Sequence, residues 1–289
     1  MKRYIIAICL ILCSIYGLFA GRYAGDFMLI GAGVRALGMG GAFAAVADDG
    51  STIYWNASGI GQITKSEVSV MHAFLYNGLA SYDNISFCQP LPNQVTIGFN
   101  VTRLSIDDIP YFDEKYLIGT NVDQRINNMN LQLTGIPDGR FRSVDDLYQF
   151  AFAKHIRYDA NLGWLFFEVP FDFFFGGNIK YIKRQIKDNY GTGTGDDFGI
   201  LVKTDLSTIV DIEYLGELAL GLNFQDVSGT DISWDTATES KDEILYNTKL
   251  GVSIKQPIES LHSSVTLAYD RDYVYGGTNH FGIEWNYKE

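Results

Sequence analysis

Beyond residue 65, apolar and polar side chains take turns along the chain, and a segment with that period of two folds as a strand whose two faces differ. Gln94 to Thr102 is the plainest case: Val95, Ile97, Phe99 and Val101 point one way, and Gln94, Thr96, Gly98, Asn100 and Thr102 the other. From Ile244 to Ile254, Ile244, Tyr246, Leu250, Val252 and Ile254 oppose Asn247, Lys249, Gly251 and Ser253. Near the end Phe281, Ile283, Trp285 and Tyr287 oppose Gly282, Glu284 and Asn286. Such segments are expected at 66–76, 81–89, 94–105, 146–157, 172–185, 197–205, 214–226, 244–255, 261–270 and 279–287, about ten strands in all. Their lengths suit the roughly ten residues of a tilted membrane strand.

A soluble sandwich would alternate in the same way, so the connections carry the distinction. With the first strand running outward, the inner turns are 90–93, 158–171, 206–213 and 256–260. The outer loops are then 77–80, 106–145, 186–196, 227–243 and 271–278. The longest and most acidic connections fall on one side, as they do in outer-membrane barrels. An aromatic content of 14% agrees with the interfacial girdles of such barrels. The inner connection 158–171, with Trp164, Phe166 and Phe167, is long and apolar for a turn; it either contains part of a strand or packs under the barrel. The expected fold class is all-β, an antiparallel transmembrane β-barrel over 66–289 with outer-membrane lipid as its partner.

Lys2 and Arg3 precede an unbroken apolar stretch from Tyr4 to Ala20, the layout of a secretory signal, so residues 1–20 are expected to be removed, with the cut after Ala20 or Ala24. An uncleaved anchor helix is the competing reading. Loss of Lys2 and Arg3 takes the net charge from -12 to -14, which argues against nucleic acid as a partner. Cys9 and Cys13 leave with the signal, and Cys88 alone cannot form an internal disulfide. Nothing resembling a linker divides the remainder.

Residues 21–65 read differently. Gly31, Gly33, Gly38, Gly40 and Gly41 sit among alanines in a run that ends at Asp48-Asp49. A nucleotide loop is not expected, because no strand-to-helix unit surrounds these glycines and the Walker spacing is absent. The stretch Gly33-Val34-Arg35-Ala36-Leu37-Gly38-Met39-Gly40-Gly41-Ala42-Phe43-Ala44-Ala45-Val46-Ala47-Asp48-Asp49, followed by Ser51-Thr52-Ile53-Tyr54-Trp55-Asn56-Ala57-Ser58-Gly59, resembles the opening of the PorV/PorQ family, which is related to FadL-type barrels. Asn56-Ala57-Ser58-Gly59 stands where those families carry Asn-Pro-Ala-Gly. Weaker echoes include Gly176-Gly177-Asn178, Gly199-Ile200-Leu201, Gly221-Leu222-Asn223-Phe224 and Gly282-Ile283-Glu284-Trp285. The resemblance implies a barrel whose N-terminal segment folds into the lumen as a hatch; a periplasmic lid is the alternative. Phe43, Ile53, Trp55, Asn56 and Gly59 are its hatch or ligand-proximal candidates. Family members commonly reach fourteen strands, so a chain of about 10 is either truncated from 14 or a complete smaller barrel.

Catalytic chemistry is not expected. His72, His155, His262 and His280 lack the spacing of a zinc site, and no nucleophile elbow occurs. The pairs Asp48-Asp49, Asp107-Asp108, Asp145-Asp146 and Asp196-Asp197 read as solvated charges near strand ends, and Gly191 to Gly195 as a flexible loop tip. No cofactor or metal is expected. The resemblance implies a non-enzymatic partner in protein secretion or surface attachment, with secretion-system components as partners. The alternative is a FadL-like passive transporter of a hydrophobic ligand, and a structural barrel is the third possibility.

Overall fold

A computed structural model of the chain describes residues 25–112, 136–161, 168–210, 214–236, 240–274 and 277–287, with isolated positions 124 and 212. The expected signal, Trp164, Phe166 and Phe167 lie outside the described residues. No described helix is long and apolar enough to cross a membrane.

The structure is mostly antiparallel sheet with twelve strands. These are β1 (Glu67–Leu75), β2 (Ala80–Leu91), β3 (Val95–Tyr111), β4 (Gly139–Asn161), β5 (Glu168–Ile186) and β6 (Asn189–Asp205), then β7 (Glu217–Gln225), β8 (Thr230–Trp234), β9 (Lys241–Ile244), β10 (Asn247–Ile258), β11 (Ser263–Asp272) and β12 (Thr278–Tyr287). Ten of them form one continuous path, β1-β2-β3-β4-β5-β6-β7-β10-β11-β12, and each neighbour in it is antiparallel. No ladder among the described residues joins β1 to β12.

Several expected connections are strand instead. β8 and β9 form a short hairpin inside the expected loop 227–243, and β8 pairs with β6. The run Gly191 to Gly195 is not a loop tip but part of β6, which turns tightly from β5 with Ile186 opposite Asn189. Alternation of glycine with threonine leaves one side of β6 bare: a Cβ on Gly191 would meet Ile232 at 2.8 Å, and one on Gly193 the carbonyl of Asp231 at 2.7 Å. β3 and β4 run on to Tyr111 and back from Gly139, well into the expected loop 106–145, and β4 to Asn161 and β5 from Glu168 absorb both ends of 158–171.

The polarity of the two faces is the reverse of a water-soluble sheet. Val70, Ile85, Phe99, Phe150, Ile179, Leu220, Leu267 and Ile283 are exposed on one face, the last at 73%. On the other, Asn84, Asn100, Gln149, Asn178, Lys180, Asn223 and Asp270 are buried. What buries them is the N-terminal segment. It consists of short helical pieces at Asp26–Leu29, Val34–Gly38, Thr52–Trp55 and Ala57–Gln62, and it makes contacts with strands at both ends of the sheet. The sheet is therefore curled around this segment, and its largest apolar cluster joins Phe43, Trp55 and Met39 to Leu147, Ile182 and Ala268.

Candidate functional site

The site is the contact between the N-terminal segment and the inner wall, and Asn56 stands at its centre. Its backbone is extended at φ -160° between two helical turns, so its side chain serves both. Asn56 Oδ1 accepts from the Ser58 hydroxyl at 2.6 Å and caps the Ala57–Gln62 turn, while Nδ2 donates to the Ala44 carbonyl at 2.8 Å. Gly59 is obligatory because a Cβ there would run into the Ala47 carbonyl. Trp55 Nε1 donates to the Ala32 carbonyl at 2.6 Å, and the Phe43 ring meets the Trp55 ring edge-on, with centroids 6.4 Å apart. Ile53 fills the space above Gly98.

The wall grips this segment with polar side chains from successive strands. Asn84 on β2 and Asn100 on β3 are bonded at 2.8 Å, and Asn100 donates to Gln149 on β4 at 2.9 Å. Asn178 on β5 donates to the Ile53 carbonyl at 3.2 Å, and Asn223 on β7 to the Trp55 carbonyl at 2.8 Å. Ser253 on β10 donates to the Ala45 carbonyl at 3.3 Å. Asp270 on β11 receives two consecutive backbone N–H groups, those of Phe43 and Ala44, each at 2.7 Å on one carboxylate oxygen. An irregular backbone away from water must find such partners, and here the wall provides them.

Between these polar contacts the wall is made of glycine. A Cβ on Gly98 would lie 2.7 Å from Ile53, on Gly176 2.6 Å from Ser58, and on Gly282 2.7 Å from the Met39 carbonyl. On Gly199 and Gly221 it would strike Asn56 Oδ1 and the Ala44 carbonyl closer still. Missing side chains on β3, β5, β6, β7 and β12 thus let the segment come to backbone distance.

The two edge strands are tied to the same segment. The Arg35 guanidinium spans Glu284 on β12, through Nη2 at 2.7 Å and a further bond from Nε, and Asp48 and Asp49 of the segment itself. Gly50 N–H donates to Glu67 on β1 at 2.6 Å. Burial works against the charge on Arg35, but the Glu284 and Asp48 carboxylates outweigh it and raise its pKa. Arg35→Gln is expected to cost roughly 1–2 kcal/mol after discounting for partial exposure, read as a lower urea midpoint at unchanged slope.

Of the four acidic pairs, Asp107-Asp108 is exposed near a strand end as expected, whereas the other three are drawn into bonds with the fold. Asp145 faces inward to Arg184 at 2.7 Å, whereas Asp146 faces outward to Arg103 at 2.5 Å, because adjacent residues of a strand point to opposite faces. Asp197 likewise turns inward to Lys180, while Asp196 accepts from Ser228 outside. Asp107 pairs with Arg142. No group of side chains among the described residues is arranged to hold a metal ion.

Lys180 is the centre of the most enclosed charge cluster, with Nζ 2.7 Å from both Asp197 and Asp226 and an exposure of 3%. Thr230 donates to Asp226 at 2.7 Å. The cluster forms one side of a narrow pocket, whose lining also includes Met28, Tyr54, Leu147 and Ile244. Burial pushes the Tyr54 hydroxyl up to about 12, so it stays protonated and donates to the Met28 carbonyl.

No protein-family model matches the chain. No curated protein matches it either. The assignment of function therefore rests on the geometry.

Phe43 and Trp55 share one apolar cluster, Ile53 belongs to a second one, and Asn56 and Gly59 lie buried at the cap and within the Ala57–Gln62 turn; none of the five lines the pocket beside Lys180, where Tyr54 is the contributor from the same stretch. The wall glycines and Asp270 were not singled out as partners of the segment from sequence. The signal available was the recurrence of glycine and asparagine on one parity of successive strands, as in Gly176 with Asn178 and Gly221 with Asn223.

Proposed function

We propose that the chain is an outer-membrane β-barrel protein of the PorV/PorQ type, plugged by its N-terminal segment, that serves protein secretion or surface attachment as a non-enzymatic partner. The observation that carries this reading is the inverted polarity of a sheet wrapped around a fastened segment. An apolar outer face of this extent has no place in water but matches lipid. On β5 the outward side chains from Phe171 to Tyr181 span ten residues, which at ~3.3 Å each and ~40° tilt makes a band roughly 25 Å tall, the height expected of a lipid-facing belt. The connections between β3 and β4 and between β7 and β10 leave from one end of the sheet, the end at which exported proteins would dock. A segment bonded to strand after strand favours a stationary plug, and hence a docking role, over a hatch that opens at each transport event.

A second reading, a FadL-like passive route for hydrophobic small molecules, has its place at the pocket beside Lys180, whose apolar side is Met28, Leu29 and Ile244 and whose polar side is Gln149, Gln225 and Asn247. Heat-modifiable migration of the chain from outer membranes tests the barrel: the unboiled band is expected to run faster than the boiled one. Deletion of the gene then separates the roles. Retention of normally secreted proteins inside the cell supports secretion, and slowed uptake of long-chain fatty acids with normal secretion supports transport. A single, unshifted band would remove the barrel reading altogether.

A further inference from the structure

The outward face carries a second feature that plug and pocket do not explain. Tyr148 on β4 and Tyr181 on β5 lie opposite one another with ring centroids 6.2 Å apart, above Phe150 and Ile179 of the apolar band. Two residues further along, on the same face, Asp146 stands between Arg103 on β3 and Lys183 on β5. Two more residues bring Val144 opposite Gln185, and Arg142 follows on the same parity. Each step is roughly 7 Å along a strand, so Arg103, Asp146 and Lys183 sit one step from the tyrosine pair, Val144 and Gln185 two and Arg142 three, a range that starts at the depth where lipid headgroups begin and runs outward.

Arg103, Arg142, Val144, Asp146, Lys183 and Gln185 together line a small cleft. Arg103 spends Nε and Nη2 on Asp146, at 2.5 and 3.0 Å, and Arg142 spends Nε on Asp107 at 3.1 Å. Arg103 is bonded to Tyr148 as well, whereas among the described residues those bonds leave both Nη atoms of Arg142 to face the cleft. The Lys183 ammonium lies 5.5 Å from the Tyr190 ring and, among the described residues, completes a set of three cations against two carboxylates. In a chain of net charge -12, a cationic surplus at this depth is a local exception.

We propose that this cleft binds the phosphate of an outer-leaflet lipid headgroup, a proposal that rests on the barrel reading above. Guanidinium groups match phosphate oxygens in pairs, an ammonium adds a point charge, and the tyrosine pair beneath seats the glycerol or sugar backbone at the interface. The cleft lies at the same end of the strands as the β3–β4 and β7–β10 connections, which is the outer leaflet in a barrel of this kind. Neutral or dephosphorylated lipid supplies no such charge.

The test uses the full chain, folded in zwitterionic detergent, with native mass spectrometry as the readout and bis-phosphorylated lipid A as the probe. Wild type is expected to hold the probe, to release it as salt is raised, and to bind dephosphorylated lipid A poorly. The double variant Arg142→Gln with Lys183→Gln is expected to bind the probe about tenfold or more weakly, while keeping heat-modifiable migration. Equal binding of the two lipids, or an unchanged affinity in the double variant, overturns the proposal and leaves the barrel reading standing. Displacement of the lipid by an equal concentration of inorganic phosphate also overturns it, because the site then recognises a free anion. A wild-type chain without heat-modifiable migration overturns the proposal and the barrel reading together.

Discussion

Replacement of Gly199 and Gly221 together by valine is expected to expel the N-terminal segment from the inner wall. Both glycines face inward on adjacent strands, with Leu201 opposite Gly221 and Gly199 opposite Asn223, so the added side chains would enter one small area. The new atoms would meet Asn56 Oδ1 and Ser58 N from Gly199, and the carbonyl and Cα groups of Ala44 and Ala45 from Gly221. Overpacking of an ordinary core costs typically ~1–3 kcal/mol per site, because side chains can turn away. Much of what is struck here is fastened backbone, at Ala44 by Asn56 within the segment and by Asp270 of the wall, so the two sites together are expected to exceed the upper end of that range. The measurement is protease protection of the segment in folded, heat-modifiable protein. Wild type is expected to be protected between Gly31 and Gln62, and the variant to be cut there at least tenfold faster, with the strands still intact. Leu220→Val on the outward face of the same strand is the control and should change nothing. Undiminished protection in the glycine variant would mean that the segment is held from elsewhere, and the glycine wall would lose its meaning.

That wall also marks how far the sequence could be read. The strand path was legible because alternation is a local property: Val95 to Val101 and Phe281 to Tyr287 declare their faces without reference to anything else. The N-terminal segment was legible as a compact, small-residue insertion for the same reason, and in it Phe43 packs on Trp55 while Ile53 joins a separate cluster. Its partners were not legible. Asp270 lies more than two hundred residues beyond Phe43 and Ala44, and nothing local tells an inward aspartate that receives backbone N–H groups from one that faces water. Asp145 and Asp146 read alike in sequence, yet one turns to Arg184 inside and the other to Arg103 outside. Gly191 to Gly195 misled for a related cause: glycine-rich runs usually mark turns, but here bareness serves the approach of β8. In each case the missing information was which strand lies alongside, a matter of register rather than of residue type.

Lys180→Met is expected to be the most damaging single change on the inner wall. The ammonium is the shared counterion of two enclosed carboxylates, 2.7 Å from each, and methionine keeps the stem while deleting the charge. Loss of one partner from a buried ion cluster costs ~3–5 kcal/mol, chiefly because the remaining charges stay desolvated. Burial already raises the Asp226 carboxyl above its ordinary value, with Lys180 opposing that rise and the Asp197 charge adding to it. Removal of Lys180 takes away the opposing influence, so the folded-state value climbs further above the unfolded one. A group shifted in that direction contributes stability that is fully present below the unfolded value and is lost as pH rises through the folded one. The variant should therefore be closest to wild type in acid and fall behind as the solution is made neutral, a widening gap in urea midpoint that can be followed by heat-modifiable migration. Lys180→Met combined with Asp197→Asn and Asp226→Asn should recover most of the loss at neutral pH, since Thr230 and the Asp226 N–H can still bond to amide oxygens. A variant gap that stays constant with pH, or a triple variant no better than the single one, would show that Lys180 matters for its packing against Gly195 and not for its charge.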